Sequence, residues 1–312
     1  MADVMAKVRE ASRRIAASKF VTEHVPPAIE TARNYALLIR LHRPIGALLL
    51  LWPALWALWM ASDGRPDQHV FVVFVLGVFL TRSAGCAIND FADRNFDGHV
   101  RRTQDRPLAT KRIQPAEALF VFAGLSLIAL ALALTLNPLA QKLALAGAVM
   151  IVTYPFFKRF FPAPQLYLGI AFGWSIPMAY AAQAGHMPPL AWLLFCAGVS
   201  WTAAYDTMYA MVDREDDLKI GIKSSAILFG EADRAMIGLL QAMCLLALVL
   251  AGRDLHRGVW FYGGLGVATI FAIYQQILIR NRNPPACFRA FINNNYFGMS
   301  VFFGIALDYI FR

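Results

Sequence analysis

The feature that most constrains this chain is a series of long apolar segments that recur from residue 45 to its end. Nine of them can be delimited, each close to the roughly 20 residues that a helix needs to cross the hydrocarbon core of a bilayer. They cover residues 45–61, 70–88, 116–136, 139–156, 166–183, 190–211, 236–252, 258–279 and 291–311. With 58% hydrophobic residues and a mean hydropathy of +0.50, the chain is too apolar for a water-soluble domain. The sequence therefore predicts an all-α membrane protein with about nine transmembrane helices.

The residues before the first apolar segment form a polar and basic stretch. Basic side chains alternate with apolar ones at close to helical spacing between Lys7 and Lys19. This pattern fits either an amphipathic helix at the membrane surface or a simple cytoplasmic tail. We expect residues 1–43 to form a cytoplasmic basic segment and residues 44–312 to form a single polytopic transmembrane domain.

The lysines and arginines are concentrated in alternate loops, and this distribution predicts the orientation in the membrane. Short cytoplasmic loops carry an excess of these residues. With the N-terminus inside, all but five of the 29 lie on the cytoplasmic side, and the exceptions are Arg65, Lys142, Arg253, Arg257 and Arg312. The formal charge of +9 therefore indicates topology, and we expect a lipid bilayer and no nucleic acid as partner.

An acidic cluster follows the second apolar segment. It contains Asn89 and the aspartates Asp90, Asp93 and Asp97, which are three and four residues apart. On a helix this spacing places the three carboxylates on one face, within reach of a common cation. The alternative is that Asp90 and Asp93 simply pair with arginines of the following loop, namely Arg94, Arg101 or Arg102.

A second cluster begins inside the sixth apolar segment and extends beyond it. Asp213 and Asp217 are four residues apart, and Asp206 lies seven residues before Asp213. A carboxylate at membrane depth is costly, so Asp206 is expected to have a function unless it forms a buried pair with an arginine. Mg²⁺ takes one or two carboxylates and completes its octahedron with water and substrate phosphate. Two separate, incomplete oxygen clusters therefore predict Mg²⁺ as the cofactor.

The cysteines and histidines do not indicate another metal. The four cysteines occur singly, without a Cys-x-x-Cys pair, and no histidine has a second histidine or a cysteine at ligand spacing. This argues against a structural zinc or haem site.

Basic residues near both clusters indicate that the metal acts on a diphosphate. We expect Arg106, Lys158 and Lys219 to contact it, because both arginine and lysine bind phosphate oxygens. A metal ion and these cations together would stabilise a diphosphate leaving group. The chemistry that follows is ionisation of an allylic diphosphate, which requires a cavity that keeps water from the carbocation.

The motifs resemble those of the intramembrane prenyltransferases of the UbiA superfamily. The first family motif, Asn-Asp-x-x-Asp-x-x-x-Asp, corresponds to residues 89–97, and the second corresponds to residues 205–217. Further stretches resemble the 4-hydroxybenzoate polyprenyltransferases of ubiquinone biosynthesis, at residues 43–46, 52–53, 97–100, 106–108, 154–155 and 172–177. The resemblance extends from about residue 35 to the end of the chain.

The resemblance implies a UbiA-type fold of nine helices in which the two motifs face each other across a central cavity. Asn89, Asp93, Asp97, Asp213 and Asp217 would then bind the diphosphate through Mg²⁺, with the four aspartates as catalytic residues. The implied substrates are a polyprenyl diphosphate and 4-hydroxybenzoate, which is prenylated at the ring carbon ortho to its hydroxyl. The implied location is a bacterial inner membrane, with the N-terminus and both motifs on the cytoplasmic side.

The acceptor is expected to contact Arg43, Arg159, Asp206 and Tyr209. Its carboxylate needs a cation, and Arg40 is a further candidate beside Arg43 and Arg159. The sequence does not rank these three arginines.

Alternative functions differ in the acceptor or in the class of protein. Within the superfamily the acceptor can instead be homogentisate, a naphthoate, haem or a lipid alcohol. A cation transporter also has intramembrane carboxylates, but near the bilayer midplane rather than at helix ends beside basic loops. A CDP-alcohol phosphotransferase is disfavoured because the chain has no Asp-Gly-x-x-Ala-Arg run.

Overall fold

The computed structural model describes residues 27–157 and 159–312. Within these residues it contains twelve α-helices and three short 3₁₀ helices, without a strand. The helices are α1 (Pro27–Leu38), α2 (Ile45–Ala61), α3 (Gln68–Asp93), α4 (Pro115–Ala133), α5 (Pro138–Phe157), α6 (Pro164–Gly173), α7 (Ser175–Ala184), α8 (Pro189–Ile220), α9 (Ser225–Phe229), α10 (Asp233–Asp254), α11 (Val259–Leu278) and α12 (Pro284–Ile310). The basic stretch up to residue 26 and Lys158 lie outside the described residues.

The prediction of an all-α membrane fold is confirmed. The nine predicted segments coincide with α2 to α8 and α10 to α12, with α6 and α7 together forming one of them. Five helical stretches of the described residues are long and apolar enough to cross a membrane, namely Gln68–Asp93, Pro115–Ala133, Pro138–Phe157, Ser225–Asp254 and Val259–Asn281. The first apolar segment forms a shorter apolar helix, Ile45–Ala61.

One predicted segment is divided at Trp174, between α6 and α7. Pro177 follows three residues later and has no N–H to donate to the carbonyl of Gly173, four residues before it. The Trp174 indole instead donates to the carbonyl of Leu143 on α5, at 2.8 Å. The break is therefore stabilised by a contact with a neighbouring helix.

The helix α1 packs against the bundle. The hydroxyl of Tyr35 donates to Glu117 at the start of α4, at 2.7 Å. Arg40, just after α1, contacts Asp90 on α3. These contacts attach residues 27–43 to the bundle, and the expected domain boundary at residue 43 stays a prediction.

The last helix, α12, contacts three other helices through three consecutive asparagines. Their side-chain oxygens accept hydrogen bonds of 2.9–3.0 Å from one residue each on α11, α8 and α2, in the pairs Asn293–Gln275, Asn294–Trp201 and Asn295–Trp52. Side-chain hydrogen bonds of this kind join helices where no water can replace them. They place α12 at the centre of the helix packing.

The helices α11 and α12 approach each other closely at Gly264 and Gly304. A Cβ on Gly264 would lie 2.6 Å from the Cα of Gly304 and 2.7 Å from the carbonyl oxygen of Ser300. Small residues at helix crossings let backbones pack this closely in membranes. The glycine pair therefore sets the distance between the two helices.

We expect Gly264→Ala to destabilise the protein by about 2 kcal/mol, because the added methyl group meets backbone atoms that cannot rotate away. The measurement is thermal unfolding in detergent. Gly266→Ala is the matched control on the same helix, since a Cβ there has nothing within 4 Å. Equal melting temperatures for the two variants would contradict this account of the α11–α12 contact.

Candidate functional site

A large cavity of about 910 Å³ lies among the helices of the bundle. Its charged and polar lining residues include Arg40, Arg43, Arg82, Asn89, Arg102, Arg106, Asp206 and Tyr209. The remaining wall is mostly apolar and comes mainly from α3, α4 and α5. We call the part of the bundle where residues 89–97 and 213–217 lie the acidic end.

The first acidic motif begins on a helix and finishes in a turn. Asn89, Asp90 and Asp93 belong to the last turns of α3, whereas Asp97 begins a separate 3₁₀ helix, Asp97–His99. The amide of Asn89 donates to the carboxylate of Asp93 at 3.1 Å. The expectation that Asp90, Asp93 and Asp97 share one helical face is wrong, because α3 ends at Asp93.

Asp97 is buried and held by an arginine of the loop that follows. The Arg106 guanidinium contacts both carboxylate oxygens of Asp97, at 2.8 and 2.9 Å. Burial raises the pKa of Asp97 above its ordinary value, and the positive charge of Arg106 opposes that rise. The neighbouring carboxylates of Asp90 and Asp93 raise it further. The carboxylates of the first motif therefore lie close together, and cations must balance their negative charges.

The second motif lies on α8, which continues without interruption to Ile220. The carboxylate of Asp213 receives three hydrogen bonds from Arg102, from Nε at 3.0 Å to each oxygen and from Nη2 at 2.5 Å. Asp217 is half-buried one helical turn further on. Because Arg102 belongs to the loop after the first motif, this contact brings the two motifs together.

Arg102 also faces an aromatic wall of the cavity. Its guanidinium lies 4.5 Å from the ring centre of Tyr209, and that ring stacks on Phe291 of α12 with centroids 4.5 Å apart. Burial by itself lowers the pKa of Arg102, but Tyr209 and Asp213 outweigh it and raise the pKa above the ordinary arginine value. Arg102 is therefore a permanent cation between the second motif and the cavity.

The other predicted residues are placed differently. Asp206, Tyr209, Arg43 and Arg106 line the cavity. Lys219 is largely exposed and contacts Asp216 at 3.5 Å, so the structure does not bring it to the cavity. Arg159 donates to the backbone carbonyl of Ala92 at 2.7 Å and lies outside the cavity lining. The predicted roles of Lys219 and Arg159 stay predictions, and Lys158 is outside the described residues.

Comparison with known proteins decides the family. The UbiA prenyltransferase family matches residues 50–302. The chain belongs to this family. This match confirms the resemblance that residues 89–97 and 205–217 indicate.

Curated relatives within the UbiA family are similar over nearly their whole length. A protein of Nitrosococcus oceani named 4-hydroxybenzoate octaprenyltransferase is 59% identical over 276 residues, which cover 88% of this chain and 97% of that protein. A protein of the same name from Aeromonas salmonicida is 58% identical over 282 residues, which cover 90% of this chain and 97% of that protein.

Solved structures of UbiA homologues share the fold. The apo structure of a UbiA homolog from Aeropyrum pernix aligns with a TM-score of 0.75 at 24% identity, covering 84% of this chain and 97% of that one. A UbiA homolog from Archaeoglobus fulgidus, bound to GPP and Mg²⁺, aligns with a TM-score of 0.68 at 18% identity, covering 86% of this chain and 99% of that one. At these identities the likeness shows the fold of the UbiA family.

Sequence reasoning missed Arg82, which lies inside α3 and lines the cavity. Arg82 is among the arginines that the predicted orientation places on the cytoplasmic side. A Cβ on Gly46 of α2 would lie within 2.9 Å of the Arg82 guanidinium, so the glycine leaves room for this side chain. Its position within the apolar segment 70–88 is the signal that could have found it, since an arginine at membrane depth is as costly as Asp206.

The acidic end offers the oxygen ligands that Mg²⁺ prefers, without enclosing an ion. Among the described residues, no three His, Cys, Asp or Glu side chains converge closely enough to hold a metal by themselves. Mg²⁺ is usually held by one or two carboxylates together with substrate phosphates and water. Asn89, Asp93, Asp97, Asp213 and Asp217 therefore fit an ion that binds together with a diphosphate.

We expect Arg102→Met to loosen the loop between α3 and α4 from α8, because it removes all three side-chain bonds to Asp213. Loss of charge-assisted bonds of this kind should raise the rate at which proteinase K cuts between residues 94 and 114 by about tenfold. Arg101→Met is the matched control, since Arg101 contacts Asp216 through its backbone N–H, which the substitution keeps. Equal cleavage rates in the two variants would contradict a tethering role for Arg102.

Proposed function

We propose that this protein transfers a polyprenyl group from a polyprenyl diphosphate to 4-hydroxybenzoate, in a Mg²⁺-dependent step of ubiquinone biosynthesis. The observation that carries the proposal is a single cavity with a charged end for a diphosphate and a long apolar wall for an isoprenoid chain. The relatives named 4-hydroxybenzoate octaprenyltransferase, at 58–59% identity, support the choice of acceptor.

The diphosphate would bind at the acidic end. Asn89, Asp93, Asp97, Asp213 and Asp217 would hold Mg²⁺, which supplies positive charge to the phosphate oxygens as the leaving group departs. Arg102 and Arg106 line the cavity and would add charge-assisted hydrogen bonds to the same oxygens. Both arginines already lie beside the carboxylates that would hold the metal.

The apolar part of the cavity would hold the isoprenoid chain and exclude water. Leu130 of α4 and Leu145 of α5 line it and are exposed side chains. A chain longer than the cavity would therefore pass between these side chains into lipid. Water is kept from C1 of the chain when its bond to the diphosphate oxygen breaks, so the allylic cation survives until the acceptor attacks.

The acceptor would then form the new carbon–carbon bond. The diphosphate leaves with the electron pair of the broken C1–O bond, the ring carbon ortho to the hydroxyl attacks the C1 cation, and the proton of the attacked carbon passes to the released diphosphate. Tyr209 and Asp206 lie on the cavity wall where an aromatic ring would sit against Phe291. We assign the acceptor carboxylate to Arg82, because it lines the cavity and lies two helical turns before Asn89 on α3.

We also propose that the protein resides in a bacterial inner membrane with the N-terminus and the acidic end in the cytoplasm. The concentration of arginines around the acidic end supports this orientation. The division into a basic segment, 1–43, and a transmembrane domain, 44–312, belongs to the same proposal. A cytoplasmic acidic end would meet 4-hydroxybenzoate from the aqueous phase.

A cation transporter is less consistent with the geometry. Asp97 and Asp213 lie at one end of the bundle and are each bonded to an arginine of the same loop. A transport site would place its carboxylates near the bilayer midplane and leave them accessible to a cation. Paired arginines at the mouth of an apolar cavity instead favour an anionic substrate.

The first test measures prenylated 4-hydroxybenzoate formed by the purified protein with geranyl diphosphate and Mg²⁺. We expect chelator, Asp93→Ala and Asp213→Ala each to lower the rate by about a hundredfold or more, because each removes charge stabilisation from the leaving diphosphate. Glu215→Gln is the control, since Glu215 is exposed on α8 between Asp213 and Asp217. Turnover of another aromatic acceptor in place of 4-hydroxybenzoate would overturn the acceptor assignment alone.

A second test addresses the acceptor carboxylate. We expect Arg82→Met to raise the KM for 4-hydroxybenzoate by about 10–100-fold, because a charged hydrogen-bond partner is lost. The KM for geranyl diphosphate should stay within about threefold of the wild-type value. Arg43→Met is the comparison variant, since Arg43 lines the cavity but is exposed. A larger acceptor effect from Arg43→Met would assign the carboxylate to Arg43.

A further inference from the structure

The carboxylate of Asp90 is fully buried and engaged by two arginines. Arg40 contacts both of its oxygens, at 2.6 Å for Oδ1 and 3.1 Å for Oδ2. Arg106 approaches Oδ1 at 3.1 Å, and the exposed fraction of Asp90 is 0%. Asp90 is adjacent in sequence to Asn89 and lies in the same motif as Asp93, yet its oxygens point to arginines.

Arg106 connects Asp90 to Asp97. One guanidinium nitrogen of Arg106, Nη1, lies within 3.1 Å of both carboxylates. Its side chain is 14% exposed and lines the cavity. Two carboxylates from different secondary-structure elements therefore fix the position of one cation at the cavity wall.

Arg40, the second arginine that contacts Asp90, is also held in a fixed position. Its backbone adopts a left-handed conformation with φ of 59°, which is costly for a residue other than glycine. Its guanidinium also donates to the carbonyls of Leu37 and Leu38 at the end of α1, at 3.4 Å each. A strained backbone and four side-chain bonds hold Arg40 in one position, in which it shares Oδ1 of Asp90 with Arg106.

We propose that Asp90 is a positioning residue, not a metal ligand, which holds Arg106 and Arg40 at the diphosphate end of the cavity. The proposal rests on the proposed function, and it divides the first motif into two roles. Asn89, Asp93 and Asp97 face the metal and the diphosphate, and Asp90 fixes the cations that face the same diphosphate.

A metal ion cannot take Asp90 as a ligand without displacing an arginine. A buried carboxylate that loses one of its cationic partners leaves that partner as an uncompensated charge, which is strongly destabilising. Asp97 contacts one of these two arginines, Arg106, whereas Asp90 contacts both and is fully buried. A divalent ion that took Asp90 would therefore displace two arginines, whereas at Asp97 it would displace one.

The consequence for catalysis concerns the diphosphate rather than the metal. With Asp90 in place, Arg106 presents its remaining donors from a fixed direction, so little rotamer entropy is lost when phosphate oxygens bind. Without Asp90, Arg106 keeps only Asp97 and can rotate toward it. Binding of the diphosphate should weaken while the oxygen ligands of the metal stay in place.

The test uses Asp90→Asn in the full-length protein, with Mn²⁺ as the metal probe. Mn²⁺ binding is followed by electron paramagnetic resonance without acceptor and with geranyl diphosphate at a concentration that saturates each variant, and the KM for geranyl diphosphate is measured with saturating Mg²⁺ and 4-hydroxybenzoate. We expect the Mn²⁺ dissociation constant to stay within about threefold of the wild-type value and the KM to rise about tenfold or more. By contrast, we expect Asp93→Asn to raise the Mn²⁺ dissociation constant about tenfold or more, because Asp93 is a proposed metal ligand.

A double variant distinguishes the proposed effect on diphosphate binding from misfolding and from a change in net charge. Arg40→Met with Asp90→Asn removes one positive and one negative charge, so no buried charge is left unpaired and the net charge is unchanged. We expect it to fold at least as well as Asp90→Asn and to show the same raised KM with unchanged Mn²⁺ affinity. Glu215→Gln serves as the control for loss of one carboxylate at the acidic end, and neither quantity should change.

The outcomes separate this inference from the proposed function. If Asp90→Asn or the double variant weakens Mn²⁺ binding as much as Asp93→Asn, Asp90 is a metal ligand and the inference is overturned. An unchanged KM for geranyl diphosphate in both variants also overturns it. A wild-type protein that forms no prenylated 4-hydroxybenzoate overturns the proposed function instead, whatever the Mn²⁺ measurements give.

Discussion

The pairing of aspartates with arginines at the acidic end is the interaction on which the rest of the site depends. Three such pairs, Arg40–Asp90, Arg106–Asp97 and Arg102–Asp213, join the segment before α2, the end of α3, the loop between α3 and α4, and α8. A partly buried carboxylate is costly unless a cation with good geometry satisfies it, and arginine does so through two donors at once. Because the loop itself has little regular secondary structure, these pairs are what keep the two acidic motifs facing the same cavity.

Much of the fold follows from hydropathy, because a helix in lipid must satisfy its own backbone and needs a fixed apolar length. The nine apolar segments therefore correspond to helices, and the break at Trp174 is the main departure. The ends of α3 and α8 were harder to predict. A hydropathy criterion stops a span at its first cluster of charges, whereas Asp90 and Asp213 remain helical because arginines from outside the helix satisfy their carboxylates.

The two motifs of the candidate site were predictable from the sequence, but the contacts that their residues make were not. Spacing singled out Asp90, Asp93 and Asp97 together with Asp213 and Asp217, and the family resemblance added Asn89 and left out Asp90. The spacing assumed a continuous helix through Asp97, whereas α3 ends at Asp93. Spacing also cannot show which carboxylate an arginine fifty or more residues away will reach, as with Arg40 and Asp90. Arg82 was not predicted as a site residue for a related reason. Its place in the cavity depends on Gly46 of α2, which lies against α3, and that contact is a property of helix packing.

The charge distribution at the acidic end has a consequence for how a diphosphate would bind. Arg102 and Arg106 direct donors to Asp213 and Asp97, so the carboxylates of the two motifs already share their negative charge with the arginines nearest the cavity. A diphosphate arriving alone would compete with those carboxylates for the same donors. An ion that enters with the diphosphate removes that conflict, because it takes charge from the carboxylates and leaves the arginines able to turn toward phosphate oxygens. The arrangement therefore favours joint binding of metal and diphosphate over binding of either one alone.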